Sequence, residues 1–140
     1  MQNVVVFSAF RKTTKVYPGG SYINEFDGVY VNNGNAYDLS SGIFTAPKPG
    51  VYEFSASVFP RANENHPVGW ARVGIEKNNA NELTFGVFSR DYDDNLGSTG
   101  YTWIMQLNQA DTIRLKAKED IFCGSITANC VFNGKFIRSI

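Results

Sequence analysis

Turn-forming clusters divide this sequence into short segments along its whole length. They include Pro18-Gly19-Gly20, Asn32-Asn33-Gly34, Pro47-Lys48-Pro49-Gly50 and Asn78-Asn79-Ala80-Asn81. Proline cannot donate the backbone hydrogen bond of a sheet ladder, so the third cluster is a firm break between strands. No segment between the clusters keeps the apolar period of an α-helix over several turns. The sequence therefore predicts many short strands and no long helix.

Alternating apolar side chains support strands between these turns. In residues 51–59 every second side chain from Tyr52 onward is apolar, which is typical of a strand with one buried face. In residues 101–107, Tyr101, Trp103, Met105 and Leu107 share a face, so we expect Trp103 to pack in the core. About nine or ten such segments at this spacing favour an all-β jelly roll or sandwich.

Size and charge narrow the class of function. The chain has 140 residues, which fits a single domain over residues 1–140. Thirteen Lys and Arg residues balance thirteen Asp and Glu residues. Because the sequence has no basic patch or run, we expect neither nucleic-acid binding nor attraction to an anionic membrane surface. No apolar run is long enough for a transmembrane helix, so we expect no membrane insertion.

Catalytic signatures are absent from the sequence. His66 is the only histidine, and its polar loop is more typical of a solvated side chain than of a general base. The segment Gly97-Ser98-Thr99-Gly100 is not a strand-turn-helix nucleophile elbow, and no phosphate-binding glycine loop occurs. We therefore do not expect an enzyme.

Residues 90–100 form the most polar loop that the sequence predicts. Three carboxylates and one amide lie within five residues of this loop, those of Asp91, Asp93, Asp94 and Asn95. Calcium takes oxygen ligands of this kind from flexible loops, although the spacing here is not that of an EF-hand. The alternatives for the three aspartates are a calcium site and a solvated turn.

Loops also supply the candidate ligand-binding residues. Tyr92 and Asn95 lie in the acidic loop, and Arg61 and His66 lie in the loop predicted at residues 60–68. An exposed tyrosine can stack on a sugar or fill a pocket of a partner. Because loops on a rigid scaffold carry variable chemistry, we expect ligand contacts from these four side chains.

Cys123 and Cys130 are the only cysteines. If they face each other across a hairpin, they form a small-loop disulfide; the alternative is two buried free thiols. Their spacing and the lack of a nearby histidine argue against zinc.

The start of the chain bears on its compartment. Residues 1–10 lack the basic region and long apolar core of a signal peptide. Only Gln2 and Asn3 separate Met1 from a strand-like VVVF segment, which is typical of a start residue placed on a mature domain. We therefore expect that a leader was removed, rather than that the chain is cytosolic.

The order of several short motifs resembles one family. Phe7-Ser8-Ala9 is the first cue, and more specific motifs follow over nearly the whole chain. They are Phe26-Asp27-Gly28-Val29, Asn33-Gly34, Tyr37-Asp38, Gly42-Ile43-Phe44-Thr45-Ala46-Pro47, Gly50-Val51-Tyr52-Glu53-Phe54 and the closing Phe132-x-Gly134-x-Phe136-Ile137. In this order they resemble the C1q globular-head domain of the tumour-necrosis-factor-like superfamily. One departure is Ala110, which replaces the glycine of the family's G-D turn.

The resemblance implies a ten-stranded jelly roll that assembles as a homotrimer. It also implies secretion and a calcium site near the trimer apex, for which Asp91, Asp93 and Asp94 are the candidates. No collagen-like tract precedes the domain, so the family's usual stalk is either lacking or was cut away; a stalkless form resembles secreted invertebrate members that act as lectin-like pattern-recognition proteins. The leading hypothesis is therefore a trimeric binder of microbial surface glycans or other ligands. The alternatives are a cytokine-like or adhesive ligand of a protein receptor, and an extracellular matrix component.

Overall fold

The computed structural model describes residues 4–60, 69–89, 99–124 and 129–140, and every regular element within them is a β-strand. The strands are β1 (Val6–Arg11), β2 (Lys15–Tyr17), β3 (Gly28–Asn33), β4 (Tyr37–Asp38), β5 (Ile43–Thr45), β6 (Gly50–Pro60), β7 (Gly69–Lys77), β8 (Ala80–Ser89), β9 (Thr99–Leu107), β10 (Thr112–Ala117), β11 (Ile121–Cys123) and β12 (Cys130–Arg138). No helix able to cross a membrane is found in these ranges.

The strands form two antiparallel sheets. A seven-stranded sheet has the order β2-β11-β6-β12-β1-β3, and β9 pairs with the other side of β6. A five-stranded sheet has the order β4-β5-β10-β7-β8. The edge strands β8 and β9 contact each other across one side of the sandwich. The predicted all-β sandwich is confirmed.

The described residues contain twelve strands where ten were predicted. The two additional strands are β2 and β11, each three residues long, which lie between the segments that the sequence predicted as strands. They pair with each other, Tyr17 opposite Ile121 and Lys15 opposite Cys123. Three residues are too few for an alternation to be visible, and the pairing partner is about a hundred positions away, so neither strand has a local signal.

Aromatic rings fill the space between the sheets. Phe7, Phe44 and Phe54 are almost completely buried, and Phe7 stacks on Tyr37 with ring centroids 4.4 Å apart. Burying each such side chain contributes roughly 1.5–3 kcal/mol to folding. Trp103 is 6% exposed and belongs to this core, which confirms the prediction made for it.

A disulfide joins Cys123, the last residue of β11, to Cys130, the first residue of β12. The two Cα atoms are 5.3 Å apart, and both cysteines are fully buried. The bond therefore ties the short strand β11 to the long closing strand of the seven-stranded sheet.

The connection between β1 and β2 is held by one carboxylate. Asp27 accepts hydrogen bonds from the backbone amides of Lys12 and Thr13, at 2.8 and 3.0 Å, and from the Thr13 hydroxyl at 2.6 Å. Partial desolvation opposes ionisation, but these hydrogen bonds outweigh it and lower the pKa of Asp27 to about 2. This aspartate belongs to the first of the specific motifs in the sequence.

Replacing Ala110 with glycine is expected to raise the free energy of unfolding by up to about 1 kcal/mol. Ala110 has a φ of 74°, in the left-handed region that favours glycine. Its amide donates to the Ala46 carbonyl at 2.8 Å, a bond that the substitution keeps. Urea unfolding at a fixed protein concentration measures the change.

Ala46→Gly is the matched control for this turn. Ala46 is buried and is not among the described residues with positive φ, so glycine there removes a packed methyl group and adds backbone freedom. We expect this variant to lose stability. A loss of stability in both variants would contradict the strain assigned to Ala110.

Candidate functional site

The predicted ligand and calcium residues lie outside the part of the chain that the structure describes. These are Arg61, His66, Asp91, Tyr92, Asp93, Asp94 and Asn95, and their roles stay predictions. Within the described ranges, no group of three or more His, Cys, Asp or Glu side chains is arranged to hold a metal. The described residues instead display two surfaces of the sandwich.

The first surface is the outer face of that sheet, which carries a polar row across three strands. Ser8, Asn133 and Ser55 lie opposite one another on β1, β12 and β6. The Ser8 hydroxyl donates to Asn133 Oδ1 at 2.5 Å, and Asn133 Nδ2 donates to Ser55 Oγ at 3.1 Å. The row is therefore hydrogen-bonded within the protomer, which lowers the cost of covering it with another surface.

A charged pair borders the polar row. Lys135 and Glu53 are cross-strand neighbours, with Lys135 Nζ 3.8 Å from Glu53 Oε2. Together with Val6 they line a shallow groove of about 260 Å³ above the row. On β9, Ile104 lies opposite Glu53 and is 61% exposed. The outer face of the sheet therefore ends at β9 in an apolar side chain.

The second surface is the side of the sandwich where β8 and β9 meet. Phe85 stacks on Tyr101 at a centroid distance of 5.6 Å, and Tyr101 stacks on Trp103 at 6.2 Å. Trp103 in turn stacks on the buried Phe54. Tyr101 is 44% exposed, so this aromatic stack begins in the core and ends at the surface. We call it the aromatic edge.

The sequence revealed only part of these surfaces. Alternation predicted that Tyr101 and Trp103 share a face, and the structure confirms it, but alternation did not show that Tyr101 would remain exposed. The polar row was missed because Ser8 and Asn133 are 125 positions apart. Their only local signal is that each is a polar residue flanked by apolar or small residues in a strand.

A family model for the C1q domain matches residues 6–137. The mouse collagen alpha-1(X) chain is 32% identical over 127 residues, which are 90% of this chain and 16% of the collagen chain. Human complement C1q tumor necrosis factor-related protein 2 is 31% identical over 103 residues, which are 74% of this chain and 33% of that protein. The chain thus spans about a sixth to a third of the length of these relatives.

Two solved structures share the fold over nearly all of the chain. The globular domain of zebrafish complement 1qA superposes with a TM-score of 0.71 at 16% identity, covering 97% of this chain and 99% of that one. Murine APRIL superposes with a TM-score of 0.60 at 14% identity, covering 94% and 99%. At these identities the likeness concerns the fold alone.

Proposed function

Because the chain belongs to the C1q domain family, we propose that it is a secreted homotrimeric binding protein that recognises external ligands through its loops. One observation supports the assembly: each protomer has an aromatic edge, where β8 and β9 meet, and a different surface with the polar row on the outer face of the seven-stranded sheet. A threefold ring needs two such unlike surfaces, because its interfaces are heterologous. The disulfide supports the extracellular compartment, since such bonds persist in oxidising surroundings.

Ile104 lies where these two surfaces meet, and it provides the test of assembly. We expect the wild-type protein to elute with the mass of three 15.5 kDa chains and Ile104→Arg to elute as a monomer. An arginine there would place an uncompensated charge against an apolar partner surface. Light scattering coupled to size-exclusion chromatography measures the mass.

Tyr30→Arg is the matched control for assembly. Tyr30 is 80% exposed on β3, which is the edge of the seven-stranded sheet remote from β9. This variant is expected to remain a trimer. A monomeric wild type, or a trimeric Ile104→Arg, would overturn the proposed interface.

For the ligand, we propose microbial surface glycans bound by Arg61, His66, Tyr92 and Asn95, with calcium held by Asp91, Asp93 and Asp94. Three weak sites on one rigid trimer raise avidity without new contacts. A glycan and microbial-polysaccharide array, run with calcium and with chelator, tests both parts. Binding lost in chelator and in Asp93→Ala/Asp94→Ala supports calcium, whereas binding that survives both removes the metal from the mechanism.

One observation favours a second function, that of a cytokine-like or adhesive ligand of a protein receptor or a matrix component. β3 exposes two apolar side chains, Val29 and the 80%-exposed Tyr30, and Tyr30 packs against Phe10 at a centroid distance of 4.7 Å. Exposed apolar side chains of this size are typical of surfaces that bind a protein partner. A blank glycan array with an intact trimer would shift the proposal to this function.

A further inference from the structure

We propose that a groove at the β4 edge of the five-stranded sheet binds a neutral, hydroxyl-rich ligand, namely a saccharide unit. The groove lies between the β3–β4 connection and the β4–β5 turn and has a volume of about 470 Å³. Pockets for small ligands commonly measure 300–1,000 Å³. The inference deepens the proposed binding function, and it rests on that function for the role of the ligand.

The polar side chains of the groove offer both donors and acceptors. Asp38 Oδ1 accepts the Ser40 amide at 3.0 Å, which leaves Oδ2 for a ligand hydroxyl. Ser41 Oγ accepts the Ile43 amide at 3.3 Å, which leaves its own O–H to donate. The side chains of Asn35 and Thr45 also line the groove, and neither is hydrogen-bonded to another described residue. Sugar hydroxyls are both donors and acceptors, and this set complements them.

Apolar groups complete the lining. Ile43 is half-buried and Pro47 is exposed, and both present carbon surface to the same groove as Asp38 and Thr45. A pyranose ring has polar edges and less polar C–H faces, so it can contact both kinds of surface at once. The lining is therefore evenly mixed between polar and apolar groups, as the surface of such a ring is.

The walls of the groove are fixed before any ligand arrives. The Thr45 amide donates to the Ala36 carbonyl at 2.8 Å, which ties the two sides together. Gly42 has a φ of 74°, and its amide donates to the Asp38 carbonyl at 2.8 Å. A Cβ at Gly42 would lie 2.6 Å from the Ile23 carbonyl oxygen, so the turn packs closely on its neighbour. A preformed site reduces the ordering cost of binding.

Charge selects the class of ligand. Asp38 is the one ionisable side chain among the described residues that line the groove, so an anion would be repelled. A single carboxylate, with one oxygen already in use, falls short of the six to eight oxygens that calcium takes. The groove also lies at the opposite edge of the five-stranded sheet from β8, so the proposed trimer leaves it open.

The test titrates glucose, galactose, mannose and N-acetylglucosamine into the full chain, followed by NMR amide shifts. We expect at least one sugar to shift the amides of residues 34–47. Asp38→Asn and Ser41→Ala should each weaken that binding about fivefold to tenfold, because the first replaces a charged acceptor by a neutral amide and the second removes a donor hydroxyl. Glu82→Gln makes the same acid-to-amide type of change at an exposed site on β8 and should leave binding unchanged.

Two outcomes would overturn the groove proposal. The first is that none of the four sugars shifts residues 34–47. The second is sugar binding that survives both Asp38→Asn and Ser41→Ala, which would leave glycan recognition standing and assign it to another site. Failure of the proposed function would be seen separately, as a monomeric wild type or as a blank polysaccharide array.

Discussion

Replacing Gly134 with alanine is expected to lower the free energy of unfolding by about 3 kcal/mol. Gly134 is buried on β12 and lies directly opposite Phe7 on one side and Phe54 on the other. A Cβ would lie 2.5 Å from a ring carbon of Phe7 and 2.8 Å from one of Phe54. Both rings are themselves packed in the core, so neither can move without displacing its own neighbours. Urea unfolding at a fixed protein concentration measures the loss.

Gly100→Ala is the matched control, because Gly100 also lies within a strand. The nearest atom to a Cβ there is the Ala56 carbonyl oxygen at 3.5 Å, which is ordinary contact. With room for the methyl group and less freedom in the unfolded chain, we expect no loss and a gain of about 0.5 kcal/mol. If Gly134→Ala were as stable as Gly100→Ala, the close packing of Phe7 and Phe54 against β12 would be contradicted.

Gly134 also shows why a short motif was informative. The closing motif was identified as Phe132-x-Gly134-x-Phe136-Ile137, and its glycine is the position where two aromatic rings approach the backbone of the closing strand. Alternation over residues 51–59 made the inward face of β6 predictable. Which residue needed to be small was not, because that depends on Phe7, more than a hundred positions away.

The functional surfaces were less predictable than the core. A strand with one buried face has alternating apolar residues in its sequence. The polar residues of a functional outer face have no pattern that separates them from any other polar surface. The polar row of Ser8, Asn133 and Ser55 exists only through the register of three strands. The groove at Asp38 and Ser41 likewise requires two turns to converge. Turn chemistry predicts each turn alone but not their distance from each other.

Removing the disulfide is expected to cost about 3 kcal/mol of folding free energy, measured as the difference in urea unfolding between wild type and Cys123→Ala/Cys130→Ala. The chain-entropy model gives about 2.5 kcal/mol for so short a loop, and the lost packing of two buried sulfurs adds to it. The effect is expected to be large because the bond holds β11, a three-residue strand, to β12. Few ladder hydrogen bonds would otherwise keep β11 in place.

Reductant separates the covalent bond from the packing of the sulfur atoms. Unfolding in reductant should lower the stability of the wild type toward that of Cys123→Ala/Cys130→Ala and leave the variant unchanged. The intact mass of the wild type should rise by about 2 Da on reduction after unfolding. If neither the mass nor the urea midpoint of the wild type changes in reductant, the presence of the disulfide is contradicted.

Because reducing compartments keep thiols free, a protein that needs this bond for a large share of its stability must fold in an oxidising one. The same experiment therefore tests whether the proposed secretion agrees with the energetics of the fold.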